Sequence, residues 1–262
     1  YWPFCGNAND ESGNGNNGTV NGATLTTDRF GNTDSAYSFD GGYIITDNNT
    51  FNNGWNEKTI SIWVKPNNLT NYNQTIYITP GHNGESLSFN HLNSPGGFSF
   101  WKNSDINVSS WDIFLANPLN YNFNNLSEWI NIVITQQDLV FDFYINGSLD
   151  TELLANQNAL QQLTGIMIGW SQAGSEYFNG DLDDLAVWNR ALTPSEIQQL
   201  ANPSTYTWST GDTTETISVT PTETTEYWVD VTTNGVTCRE YVTIDVTAPA
   251  APTGDSEQTF CT

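Results

Sequence analysis

Read from its amino terminus, the chain alternates short apolar-polar runs with clusters of Asn, Gly, Ser and Pro, and no helical period persists beyond about a dozen residues. The runs predict strands at Ala36–Phe39, Tyr43–Thr46, Thr59–Pro66, Gln74–Ile78, Ser86–Asn90, Gly97–Trp101, Trp129–Gln136, Val140–Ile145, Gly165–Gly169 and Leu182–Trp188. In Thr59-Ile60-Ser61-Ile62-Trp63-Val64 every second residue is apolar, which puts one face against a core. Phe141, Phe143 and Ile145 repeat the pattern, and Asn146-Gly147 supplies the residues of a type I′ hairpin turn. One helix is predicted near Thr193–Ala201, with Thr193 as N-cap, Pro194 at the first helical position and Glu196 completing a capping box.

After Asn202-Pro203 the composition turns Thr-rich. The segments TYTWST, TISVTPTETTEYWVDVT and REYVTIDV read as β runs through Val246, followed by the linker TAPAAPTG and the start of a further strand in SEQTFCT. The pattern therefore divides the chain into 1–202, 203–247 and 248–262. The middle part is too short to bury much surface and is expected to pack on the larger part.

Charge narrows the partners. Six Lys and Arg stand against 29 Asp and Glu, a formal net charge of −23. Such a surface repels nucleic acid, anionic membranes and sulfated or uronic polysaccharides. The acidity fits solubility in a salty exterior, where screening acts within about 10 Å, and it also fits binding of divalent ions. No apolar stretch approaches the roughly 18 residues that a membrane-spanning helix needs, so direct membrane insertion is not expected. The N-terminal YWPFCGN has no signal-peptide layout, which places any secretion signal outside this sequence. Cys5, Cys238 and Cys261 do not have zinc-site spacing, and their odd number calls for a partner. His82 and His91 fall in loops or at strand ends and read as solvated. No paired-carboxylate strand and no nucleophile motif is present, so the chain reads as non-catalytic.

The succession YWPF, NANDESGNGNNGTVNGA, SAYSFDGG, TISIWVKP, FYINGS, IMIGW and YFNGDLDDLAVWNRALTPSEI resembles the laminin-G-like, concanavalin-A-like modules of secreted Bacteroidetes proteins. The resemblance covers residues 1 to about 201. It implies an all-β fold, an antiparallel two-sheet jelly-roll sandwich with one short C-terminal helix. The Thr-rich segment resembles the second half of an immunoglobulin-like repeat. Secretion or display at the cell surface follows, with an extracellular glycan or surface protein as partner alongside neighbouring domains of the same chain. Three roles are compatible with it: a carbohydrate-binding or adhesin module, a structural spacer in a surface fibre, or an accessory module of a polysaccharide-degrading enzyme.

The resemblance also points to residues. In related sandwiches a calcium ion joins the N-terminal loop to the closing strand, which implies structural calcium at Asp10, Gly13 and Asp183. The alternative is an Asx-rich turn without metal. Trp2, Trp63, Trp129 and Trp188 fall at positions of packing in the family. Trp101, Trp111 and Trp170, with Tyr72 and Tyr177 beside turns, are the candidate sugar platform, because aromatic faces stack on sugar rings. Packing against sheet faces or a neighbouring domain is the competing use. Cys238 resembles the cysteine that complete repeats pair with an earlier strand, and Cys5 stands where the family has a polar residue. A Cys5–Cys238 disulfide is implied, against a free or externally paired Cys5 or a Cys238–Cys261 link.

Overall fold

The computed structural model describes residues 1–46, 57–69, 74–79, 85–89, 98–102, 113–116, 121, 127–154, 165–171, 176–233 and 236–246. The chain divides into two units, Tyr1–Ala201 and Asn202–Thr262.

In the first unit the strands are β1 (Gly18–Asn21), β2 (Thr24–Thr26), β3 (Ala36–Asp40), β4 (Tyr43–Thr46), β5 (Glu57–Pro66), β6 (Gln74–Ile78) and β7 (Glu85–Phe89). They continue as β8 (Phe98–Lys102), β9 (Ile113–Ala116), β10 (Ile130–Gln137), β11 (Val140–Ile145), β12 (Ser148–Leu154), β13 (Met167–Ile168) and β14 (Asn179–Trp188). All pair antiparallel, in one sheet of order β1-β4-β13-β6-β7-β8-β9 and another of order β12-β11-β10-β5-β14-β3-β2. This is the jelly-roll sandwich expected from the sequence. Strand alternation dictates its core: Ile60, Ile62 and Val64 of β5, Ile132 and Ile134 of β10, and Phe141 and Phe143 of β11 face Ile44, Leu87, Phe89 and Phe100 of the other sheet, all buried. Phe100 meets Phe143 edge to face across the sandwich, with ring centroids 5.4 Å apart.

Asn146 and Gly147 take φ of 49° and 80°, the left-handed pair that a type I′ turn requires, and join β11 to β12. Helix α1 (Pro194–Ala201) is capped as predicted: the Thr193 amide donates to Glu196 at 2.8 Å and the Glu196 amide to Thr193 Oγ1 at 3.4 Å. Its buried face, centred on Ile197, packs with Leu192 on Val133 and Tyr144, covering the outer face of the second sheet.

The second unit holds β15 (Thr205–Trp208), β16 (Thr225–Thr233) and β17 (Val236–Ile244) in one sheet of that order. Thr216–Thr220, read from the sequence as a strand, is not part of this sheet. Among the described residues no side chain of this unit is buried.

Candidate functional site

At the β4–β13 end of the first sheet the backbone is pinned by two glycines. A Cβ on Gly42 would lie 2.3 Å from the Ala23 amide nitrogen, so the chain enters β4 where no side chain fits, and Tyr43 follows at once. Gly169 has φ of 79° and would place a Cβ 2.4 Å from the Phe39 ring. Its amide donates to the Ile76 carbonyl at 2.8 Å while its carbonyl accepts from the Phe178 amide at 2.9 Å. That clamp sets Trp170 beside Tyr177, whose backbone bridges to Thr75. The Trp170 and Tyr177 rings stack with centroids 6.0 Å apart and planes 17° apart. The Tyr43 ring is also against Trp170, with centroids 4.7 Å apart and planes 30° apart. All three rings are half-buried.

Two of the five aromatic residues expected from the sequence, Trp170 and Tyr177, thus come together. Trp101 sits in β8 opposite Ser86 and Phe114, three strands from β13, or roughly 14 Å at ordinary strand spacing. Tyr72 and Trp111 lie outside the described residues, as do His82 and His91. Tyr43 was missed. The available signal was the alternation Tyr43-Ile44-Ile45-Thr46, in which burial of Ile44 turns Tyr43 outward.

The middle of the same outward face carries hydroxyls rather than charges. Thr75, Ser86 and Ser88 form a chain of side-chain hydrogen bonds at 3.2 and 3.4 Å, and with Ser99 they are buried. The strands of this sheet carry one carboxylate, Glu85, and it points into the core. There it pairs with Lys58 and accepts a hydrogen bond from the Tyr77 hydroxyl at 3.2 Å. Burial pushes the Lys58 ammonium below its ordinary range against the pull of Glu85, and pushes the Tyr77 hydroxyl well above its own.

The implied calcium ligands lie in two separately satisfied groups. Asp10 accepts from the Ser12 amide at 2.9 Å, the Ser12 hydroxyl at 2.5 Å, the Asn16 amide at 3.0 Å and the Tyr1 ammonium at 3.0 Å. Desolvation opposes ionisation here, yet these donors hold the Asp10 carboxyl well below the usual carboxylate range. Gly13 takes φ of 82° in the turn that Asp10 organises. At the other end, Arg29 donates to Asp183 Oδ2 at 2.5 Å and to Asp184 Oδ2 at 2.6 Å. A bulge between Asp183 and Ala186, with Asp184 at φ of 47°, lets these consecutive residues reach one guanidinium from the same strand. Burial, then the Asp184 charge, pushes Asp183 up to about 7 despite Arg29. Among the described residues no group of three or more His, Cys, Asp or Glu side chains is arranged to hold a metal ion. Saturated by hydrogen donors at Asp10 and by a guanidinium at Asp183, the residues present do not fit the ion that the resemblance implies.

Cys5, in the first unit, and Cys238, in the second, are exposed thiols. Partial desolvation, then the nearby charges of Asp184 and Asp183, raise the Cys5 thiol. Among the described residues no helix is long and apolar enough to cross a membrane.

No curated protein sequence matches the chain. Domain 4 of AbnA, an extracellular GH43 arabinanase from Geobacillus stearothermophilus solved in complex with arabinotriose, is similar in fold. It has a TM-score of 0.57 and 20% identity over 74% of this chain and 93% of that one. The binding domain of Paraclostridial Mosquitocidal Protein 1 superposes with a TM-score of 0.59 and 19% identity, covering 85% of this chain and 60% of that one. For the binding domain of botulinum neurotoxin serotype D the values are 0.56 and 20%, over 74% and 48%. Identities this low speak for the fold. Residues 35–198 match the family model of the concanavalin A-like lectin/glucanases superfamily, and the chain belongs to that superfamily.

Proposed function

We propose that this chain is a non-catalytic, secreted or surface-displayed binding module that holds a neutral glycan on the rings of Tyr43, Trp170 and Tyr177. The observation that carries the reading is the stack itself: three half-buried rings fixed by two glycines that admit no side chain. Sugar rings present C–H faces to such a surface, and aromatic side chains with a polar tip suit one apolar and one wet side. With 29 acidic residues against six basic ones, an anionic ligand is disfavoured, which supports a neutral one. The one carboxylate of that sheet is engaged by Lys58 inside the core, which supports binding without hydrolysis. A carbohydrate-binding role as an accessory module draws support from the similar arabinanase domain, whose structure contains arabinotriose. The second unit, read as part of an immunoglobulin-like repeat, serves in this proposal as a connector to neighbouring domains.

Titration calorimetry with neutral oligosaccharides, arabinotriose among them, tests the site. Trp170→Ala should weaken binding about 3- to 10-fold, the worth of one aromatic contact, and a Trp170→Ala/Tyr177→Ala variant should abolish it. Absence of binding to every neutral glycan, or unchanged affinity in the double variant, refutes the reading.

A further inference from the structure

The rim cluster at Arg29 supports an inference independent of the glycan reading. Arg29 lies in the turn between β2 and β3, which Asp28 makes rigid: its carboxylate accepts from the Phe30 and Asn32 amides at 2.8 Å each and from Asn32 Nδ2 at 2.9 Å. From this fixed base the guanidinium passes over Trp63, 4.6 Å from the ring centroid, with Phe30 at 4.3 Å. It ends between Asp183 and Asp184, and its side chain is 12% exposed while that of Asp183 is 2% exposed. The Tyr1 hydroxyl donates to the second oxygen of Asp184 at 2.6 Å.

We propose that the Arg29 guanidinium is the structural cation of this rim, tying the β2–β3 turn to the closing strand β14 in place of a divalent metal. The fold is therefore metal-independent, and removing the guanidinium uncovers a carboxylate pocket that accepts calcium. Geometry excludes sharing. A calcium ion needs carboxylate oxygens at about 2.3–2.6 Å, and a guanidinium nitrogen already lies 2.5 Å from Asp183 Oδ2. Charge points the same way. One positive charge faces two carboxylates, with Asp28 nearby, so the pocket keeps a surplus negative charge that a divalent ion would neutralise better than the single guanidinium does. The guanidinium remains because it brings what an ion cannot: covalent attachment to the turn, paired donors, and a flat face against Trp63.

The test uses the full chain, stripped with chelator and compared in calcium and magnesium at equal ionic strength, so that general screening of the acidic surface cancels. The wild-type melting temperature should be the same with calcium and with chelator. Arg29→Ala should melt lower without metal and recover by several degrees in millimolar calcium, as mass action on a folded-state site requires. Terbium should bind this variant with luminescence sensitised by Trp63, and should not do so in the wild type. Arg29→Ala/Asp183→Asn should lose the calcium response, and Arg29→Lys, which keeps a charge in place, should have none. If Arg29→Ala does not fold, Arg29→Gln carries the same comparison, since it preserves much of the packing on Trp63. A wild-type protein destabilised by chelator overturns the proposal. So does an Arg29→Ala or, in its stead, Arg29→Gln protein that is indifferent to calcium.

Discussion

Two ionic clusters hold strands together in this sandwich, one in the core and one at the rim, and they are balanced differently. In the core a single ammonium, Lys58 on β5, meets a single carboxylate, Glu85 on β7, and so links the two sheets. The remaining polar atoms are engaged too: Tyr77 donates to the other Glu85 oxygen, and the Glu85 amide donates to Thr79 Oγ1 at 2.7 Å. At the rim one guanidinium serves two carboxylates. In a one-to-one pair shut away from water, removing either partner alone strands the charge of the other. A cluster with one acid too many can take a proton or admit a second cation. The difference teaches that stoichiometry, as much as burial, decides which ion pair is a fixed brace and which one responds to the solution.

The largest effect is expected from breaking the core pair. Glu85→Ala leaves the Lys58 ammonium buried and unpaired, and should cost about 3–5 kcal/mol in urea unfolding. Lys58→Met/Glu85→Leu replaces both charges with apolar groups of similar volume and should restore most of that loss. A double variant no more stable than the single one would remove the pair's claim to be a self-contained unit.

The rim should declare itself through pH. Asp183 has a folded pKa of about 7, above the ordinary unfolded value near 3.9, so the folded state binds the proton more tightly. Its contribution is fully present below about pH 4 and is lost as pH rises to about 7, a decline of at most roughly 4 kcal/mol. Asp10 has the opposite sign. Its folded pKa is depressed, so its contribution is present above about pH 4 and lost in more acidic solution. Urea midpoints across pH 4–8 should therefore fall less steeply in Asp183→Asn than in the wild type. Parallel curves would show that Asp183 does not carry the surplus charge.

These two carboxylates also mark where the sequence was legible. Strands with a buried face were readable from alternation, and β4, β6 and β11 fall at their expected residues. The short β1 and β2 and the edge strand β12 hold no fully buried residue, and only single leucines, Leu25 and Leu153, pack on the core, too few to mark a period. Lys58 continues the inward register of Ile60, Ile62 and Val64, so alternation held the clue, but lysine is so seldom buried that the pattern was cut short. Arg29 lies 154 residues from Asp183, and nothing local in the turn Asp28-Arg29-Phe30-Gly31 announces that pairing. Local signals reported local structure, the caps, turns and strands. The partner of each charge depended on which strands the sandwich brought together.

A third ion pair provides the control for the comparison, because it too sets a cation against a carboxylate at hydrogen-bond distance and has none of their burial. Arg190 makes a bidentate contact with Glu196 at 2.6 and 3.0 Å, and both side chains are exposed. Water and salt screen such a pair, and holding two long side chains in one geometry costs entropy, so exposed pairs contribute little. Glu196 has a second task that does not depend on Arg190: it accepts from the Thr193 amide and hydroxyl at 2.8 and 2.9 Å, closing the capping box of α1. The cap matters because α1 holds Ile197 over Val133 and Tyr144. Thr193→Ala, which removes the cap and leaves the ion pair, should therefore cost about 1 kcal/mol. Arg190→Ala, which removes the ion pair and leaves the cap, should leave the urea midpoint unchanged at physiological salt. An Arg190→Ala loss as large as that of Thr193→Ala would mean that an exposed pair braces this fold as a buried one does, and the distinction by burial would fail.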